Sequence, residues 1–346
     1  MAVKALIATL EDEILDPEEG ALQQPTYTEI LRMRQTETFF LFSHNIPSSN
    51  LGFIDPKATE LSLTLAGRDF TIHQSPTVLS STRAGGTTGA VLWKITPLFA
   101  TYLSSPSSPF TQLFTPTSTI LELGCGISPL TALLLAPRVA RYVLTDQPYV
   151  SRMIHQNLEA NPLPKSSSSS SSSTSRRSRK AAAATSSSTA NSATTTTSSS
   201  SPGTISFHPL DWELDTPDPS LTGVPPSTAN SFDVVVCCDC IYNEALVEPL
   251  VSTTADLARL RVRAQQEDQD DNPSSSSSST TARSEPCVCI VAQQLRSPDV
   301  FEEWIGAFHR DFRTWRVPDA LLPEGLRIEA GFVVHVGILR EAGVDF

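Results

Sequence analysis

Residues 118–136 read STILELGCGISPLTALLLA, an apolar strand that runs into two glycines and leaves as an apolar helix. A strand that turns over glycines into a helix points to a βαβ unit, because parallel neighbours need a crossover long enough to hold a helix. The alternation continues along the chain. RYVLTD, ISFHPLDW, FDVVVCCD and CVCIVAQQ read as strands, and QPYVSRMIHQNLEAN, NEALVEPLVSTTADLARL and PDVFEEWIGAFHRDF have helical spacing. RIEAGF and VVHVGILR close the chain as two strands with no helix between them. The pattern predicts an α/β fold: a seven-stranded, mostly parallel sheet covered by helices on both faces, with an antiparallel edge. In the first glycine-linked helix, Ser128 is expected as N-cap and Pro129 at the first helical position.

Upstream, ELSLTLAG alternates apolar residues at Leu61, Leu63 and Leu65, and Phe70 and Ile72 resume the alternation after a turn at Ala66-Gly67-Arg68. This predicts a β-hairpin. GAVLWKITPLFATYL has helical periodicity, with Pro97 expected to kink it, and EILRMRQTETFFLF is expected to pack on the main domain as a helix or a strand. Residues 1–88 thus form an N-terminal extension with a β-hairpin, and residues 89–346 the main domain. Two tracts interrupt that domain, at about 165–203 and 264–285. Both are Ser-rich, the second opening on QQEDQDDN, and both are too poor in apolar residues to offset the entropy of ordering a chain. They are expected as disordered insertions. Each falls between a helix and the next strand, opposite the carboxyl ends of the strands where ligands of such sheets bind.

With 25 basic and 37 acidic residues the net charge is −12, which disfavours a general nucleic-acid binder and suits a basic partner. The basic cluster RRSRK, Arg176–Lys180, lies in the first Ser-rich tract and reads as solvated linker charge, with an import or docking signal as the alternative. No stretch reaches the roughly 18 apolar residues of a membrane helix, and the N-terminus meets acidic residues too early for a secretory signal. The six cysteines lie mostly in apolar strand patterns without a histidine at zinc-site spacing, so no metal is expected and the thiols are taken as reduced and buried. The expected location is cytoplasmic, with the nucleus as a further possibility.

After the glycine turn, Pro129 stands where the third glycine of a dinucleotide fingerprint would be, which disfavours a nicotinamide oxidoreductase while leaving it as an alternative. Glu122, just before the turn, would face a pyrophosphate unfavourably; a cationic sulfonium-bearing amino acid has no such conflict. Asp146 ends the next strand, where an acidic side chain can accept the hydroxyls of a ribose. Asp239 and Tyr242 follow the buried strand FDVVVCC and so fall at the same end of the sheet. For Asp239, a helix N-cap ahead of NEALVEPL is the competing role.

Together, ELGCG, LTDQ, PLDW and DCIYNEALVEPL resemble the seven-strand, S-adenosylmethionine-dependent protein lysine methyltransferases with an Asp-x-x-Tyr motif. SSTRAGGTTGAVLWK is most similar to the fungal ribosomal lysine N-methyltransferase 5 family. The resemblance covers Ser75–Ala160 and Ile205–Leu260, and the C-terminal strands more weakly. It implies a Rossmann-like fold and S-adenosyl-L-methionine as cofactor. The cofactor contacts it implies are Trp93, Gly124, Cys125, Gly126, Asp146, Trp212 and Cys238, with Trp212 stacking near the adenine and Trp93 entering from a helix; Glu122 joins them on the charge argument above. It implies Asp239 and Tyr242 as catalytic residues, and methylation of a lysine on a basic large-subunit ribosomal protein by a monomer, without direct nucleic-acid or membrane contact. Ser128-Pro129 departs from many relatives, where a further glycine is common. Another protein substrate, such as a chaperone or an elongation factor, and a non-catalytic cofactor-binding scaffold are the alternatives.

Overall fold

The computed structural model describes residues 2–14, 37–47, 52–83, 86–164, 203–223, 231–271 and 285–342. Two sheets are present among them. β1 (Glu60–Leu65) and β2 (Arg68–His73) form the expected hairpin, closed by a two-residue turn at Ala66 (φ 49°) and Gly67 (φ 74°). Positive φ at both turn residues matches the twist of the strands. The main sheet is Rossmann-like and seven-stranded: β3 (Thr119–Leu123), β4 (Arg141–Asp146), β5 (Thr204–Pro209), β6 (Val234–Cys238), β7 (Val288–Gln294), β8 (Phe312–Arg316) and β9 (Phe332–Leu339). Their order is β5-β4-β3-β6-β7-β9-β8. β3 to β7 are parallel, and β9 is antiparallel to both its neighbours. The order reverses between β3 and β6, which opens a crevice at their carboxyl ends.

Helices α1 (Ala2–Ile7), α2 (Ile95–Ser104), α3 (Leu130–Leu135), α4 (Ser151–Ala160), α5 (Val247–Asp271) and α6 (Pro298–Asp311) surround the sheet. Alternate strand residues feed opposite cores. Ile120, Tyr142, Val234 and Ile290 pack with Ile95, Phe99, Leu130 and Ile154 on one face. Leu121, Val143, Val235 and Val291 pack with Leu250, Trp304 and Phe308 on the other. No helix of the described residues is long and apolar enough to cross a membrane.

Several expectations are corrected. The two closing strands are FRTWR and FVVHVGIL, and RIEAGF is not a strand. Ile328–Ala330 is a single helical turn ended by Gly331 at φ 85°. β8 lacks an apolar strand pattern because its arginines pair with acids from the far end of the chain: Arg313 with Glu13, and Arg316 with Glu11 and Glu37. The backbone of residues 11–14 also bonds along β8, through Ile14 N to Thr314 O at 2.8 Å, so this edge is covered and not left open. Pro97 does not kink α2, since it falls in the first turn, where its missing N–H has no intrahelical acceptor. Pro129 occupies the N-cap position of α3 and not the first helical one, although Ser128 Oγ does accept from Leu130 N at 3.4 Å. Trp93 lies in the extended segment before α2, bridged to Phe53, and not on a helix. The second Ser-rich tract begins later than expected: α5 runs on to Asp271. The remainder of that tract, residues 165–202 and the RRSRK cluster lie outside the described residues. Residues 37–42, within the N-terminal segment left as helix or strand, are helical.

Candidate functional site

The loops leaving β3, β4, β6 and β7 enclose a cavity of about 330 Å³ at the carboxyl end of the sheet. Its floor is the glycine turn. Gly124 takes φ +65° and Gly126 φ +57°, a backbone that side-chain-bearing residues rarely adopt. A Cβ on Gly124 would stand 2.8 Å from Cys240 Sγ and 3.0 Å from the Trp212 ring, and one on Gly126 3.0 Å from Gly89 O. Between them, Cys125 is buried, with its N–H donating to Thr145 O at 3.1 Å. Its thiol is pushed up by burial, so it packs and does not ionise.

Asp146 ends β4 beside this turn. Its Oδ2 accepts from Gly126 N at 2.8 Å and its Oδ1 from Gln147 N at 2.7 Å. Burial raises its carboxyl to about 6 against the pull of those two N–H groups. Glu122, on β3, is deeper. Burial raises it to about 7; the Tyr142 hydroxyl, donating to Oε2 at 2.8 Å, opposes that, and the nearby Asp146 charge reinforces it.

Two tryptophans form walls. Trp212 follows β5 and lies against the glycine turn; its buried Nε1 has no hydrogen-bond partner. Trp93 stacks on Phe53 at 4.5 Å between ring centroids and donates from Nε1 to Thr88 O at 3.1 Å. Cys238, at the end of β6, adds a buried sulfur 4.0 Å from Thr96 Oγ1.

Asp239, the residue after β6, is a non-glycine at φ +62°. Its backbone N–H donates to Ala292 O at 2.7 Å, and its side chain is only 3% exposed. Arg296, two residues past β7, reaches it as a fork: Nη1 to Oδ1 and Nη2 to Oδ2, both at 2.6 Å. Gln294 N donates a third bond to Oδ1 at 3.2 Å. The N-cap role weighed for Asp239 belongs instead to Asn243, whose Oδ1 accepts from Ala245 N at 3.2 Å. Tyr242 is 41% exposed at the cavity mouth and accepts from Thr88 Oγ1 at 3.1 Å.

All ten residues singled out in the sequence therefore border one cavity. Phe53, Thr88 and Arg296, which also border it, were not among them. Arg296 had a readable signal, an arginine two residues past an apolar strand at its ligand-binding end; Thr88 lies within the SSTRAGGTTGAVLWK stretch, and Phe53 had no signal. Five carboxylates border the cavity (Glu122, Asp146, Asp211, Glu213 and Asp239), against the single guanidinium of Arg296. Such a site favours a cationic ligand over an anionic one. Among the described residues, no group of three or more His, Cys, Asp or Glu is arranged to hold a metal.

No family model matches the chain. Over 224 residues, 65% of its length, the chain is 30% identical to a diaminohydroxyphosphoribosylamino-pyrimidine deaminase of Schizosaccharomyces pombe, of which the match spans 43%. Over 107 residues it is 37% identical to ribosomal lysine N-methyltransferase 5 of Zygosaccharomyces rouxii, covering 27% of the chain and 34% of that protein. The corresponding protein of Candida glabrata is 32% identical over 117 residues, covering 27% and 33%. The chain thus spans between a third and a little under half the length of these relatives. Among solved structures, the N-methyltransferase NodS of Bradyrhizobium japonicum WM9, in complex with S-adenosyl-L-homocysteine, is similar at 12% identity and a TM-score of 0.33, over 68% of this chain and 89% of that one.

Proposed function

We propose that the chain is an S-adenosylmethionine-dependent methyltransferase acting on the amine of a protein lysine, with a basic large-subunit ribosomal protein as preferred substrate. The observation that carries this reading is the acid-lined cavity built over the glycine turn. The residues present suit the cofactor. Gly124 and Gly126 leave the floor open to close approach, Asp146 keeps acceptor capacity for ribose hydroxyls beyond its two backbone bonds, and the Trp212 indole N–H is an orphaned donor in the wall. The excess of carboxylates along the cavity would suit a cationic cofactor better than a pyrophosphate.

The bound cofactor supplies a methyl group already activated on a sulfonium; the protein orients the amine and excludes water. A lysine amine must arrive without its extra proton, which its ordinary pKa of about 10.4 opposes at neutral pH. Asp239 accepts a hydrogen bond from the incoming amine, and Tyr242 lines the slot for its aliphatic stem. The matches to two proteins named as ribosomal lysine methyltransferases support the lysine and ribosomal parts of the reading. The deaminase match does not favour deamination here, because the sequence lacks His-x-Glu followed by Pro-Cys-x-x-Cys, the zinc-deaminase pattern.

The test combines purified protein, methyl-labelled S-adenosylmethionine and ribosomal subunits from cells lacking the enzyme, with an Asp239→Asn control and mass spectrometry of the product. Label on one large-subunit lysine, lost in the control, is the expected result. Label only in a whole-cell extract would move the substrate to another protein. Failure to bind S-adenosylmethionine or its demethylated product would overturn the reading.

A further inference from the structure

Of the polar groups around the cavity, Asp239 is held most tightly, and Arg296 is what holds it. An ionised carboxylate offers about four lone-pair sites. At Asp239 three are filled: Arg296 Nη1 and Gln294 N on Oδ1, and Arg296 Nη2 on Oδ2. One site on Oδ2 remains. The fork is itself braced, since Arg296 Nη2 also donates to Gln294 Oε1 at 3.0 Å and its guanidinium lies 5.1 Å from the Trp93 ring centroid. Asp239 sits in a left-handed backbone conformation that costs a non-glycine residue roughly 1–3 kcal/mol, and such conformations persist only where surrounding contacts over-determine them.

Resting on the methyltransferase reading above, we propose that Arg296 is a positioning residue that turns Asp239 from an open carboxylate into a single, directed hydrogen-bond acceptor for the substrate amine. The fork fixes the carboxylate plane, and its positive charge cancels that of Asp239. The amine is then aligned by one directed bond at Asp239. A lysine at position 296 would not reproduce this, because an ammonium is a point charge and cannot bridge both oxygens in plane.

The test measures kcat, KM and S-adenosylhomocysteine affinity for the wild type, Arg296→Gln, Arg296→Lys, Asp239→Asn and the Asp239→Asn/Arg296→Gln double variant, with melting temperatures to confirm folding. Arg296→Gln and Arg296→Lys should each lower kcat about tenfold or more while cofactor affinity stays within about twofold. The double variant should be no slower than Asp239→Asn alone, because a positioning residue has nothing left to position once its target is gone. A folded Arg296→Gln or Arg296→Lys variant with wild-type kcat, or losses that multiply in the double variant, would overturn the role. A wild-type protein that binds cofactor but labels no protein overturns the methyltransferase reading and this inference together; an active wild type with indifferent Arg296 variants overturns only the inference.

Discussion

The backbone N–H of Gly126 donates to Asp146 Oδ2 at 2.8 Å, which ties the turn after β3 to the carboxylate that ends β4. Floor and side wall of the cavity are therefore one unit. Gly126→Ala strikes both: the new Cβ would meet Gly89 O at 3.0 Å in a backbone conformation unfavourable to alanine. Stability should fall by about 1–3 kcal/mol. Affinity for S-adenosylhomocysteine should fall about tenfold or more, an effect of at least ~1.4 kcal/mol on binding. Calorimetric titration and thermal melting measure the two separately.

Buried acids give the cavity a pH signature. Burial raises Glu122 from 4.5 to about 7 and Asp146 from 3.8 to about 6. A carboxyl raised in the folded state holds its proton more tightly there than in the unfolded chain. Stability therefore falls as pH rises from the unfolded value to the folded one, and stays low above it. Glu122→Gln, which keeps an acceptor for the Tyr142 hydroxyl, should remove the part of this decline that lies between pH 4.5 and about 7. At pH 8 it should stabilise the cofactor-free protein by up to about 3 kcal/mol. Urea unfolding at pH 5 and pH 8 reads the difference directly. Binding of a cationic ligand should run the other way in the wild type, tightening as pH rises through the same window.

At the cavity mouth, Tyr242 presents an exposed ring whose hydroxyl accepts from Thr88. Tyr242→Phe retains the ring and should change KM for the protein substrate by about twofold at most. On the proposed reading, Tyr242→Ala removes one wall of the lysine slot and should raise that KM about tenfold, ~1.4 kcal/mol, with cofactor affinity unchanged. Steady-state kinetics with saturating cofactor distinguishes them.

The central strands were legible because β3, β4, β6 and β7 are nearly continuous apolar runs, as parallel strands buried on both faces must be. β8 was not, because Arg313 and Arg316 break its apolar pattern and their partners Glu13, Glu11 and Glu37 lie about 300 residues away in the chain. The same division applies to the cavity. Gly124, Gly126, Asp146, Trp212 and Asp239 each stand at or just past the end of a strand and can be found by walking along the sequence. Phe53 and Thr88 cannot, since they enter from loops outside the βα alternation and are placed by packing against Trp93 and by the bond to Tyr242. Asp239 was locatable, but its tether was not. A bidentate pair between residues after two different strands is a fact of the sheet register that brings β6 beside β7.

The N-terminal hairpin is held to the domain by two asparagines that act as surrogate strand partners. Asn157 Oδ1 accepts from His73 N at 2.7 Å, while its Nδ2 donates to His73 O at 2.9 Å and to Ile127 O at 2.7 Å. One turn later, Asn161 repeats the exchange with Thr71 N and O, at 2.9 and 2.7 Å. Asn157 on α4 and Asn161, the residue that caps its end, thus meet β2 residues two apart, which point their backbone groups the same way. Asn157 is fully buried, so Asn157→Ala leaves backbone donors and acceptors at His73 and Ile127 without partners. The expected cost is at least about 3 kcal/mol, since each of the three stranded groups contributes roughly 1–3. Because Ile127 adjoins Gly126, cofactor affinity should weaken as well, whereas Asn161→Ala, one turn further from the glycine turn, should loosen the hairpin and leave affinity within about twofold. Hydrogen exchange at Thr71 and His73, read beside calorimetric titration of both variants, checks the two halves of this prediction independently.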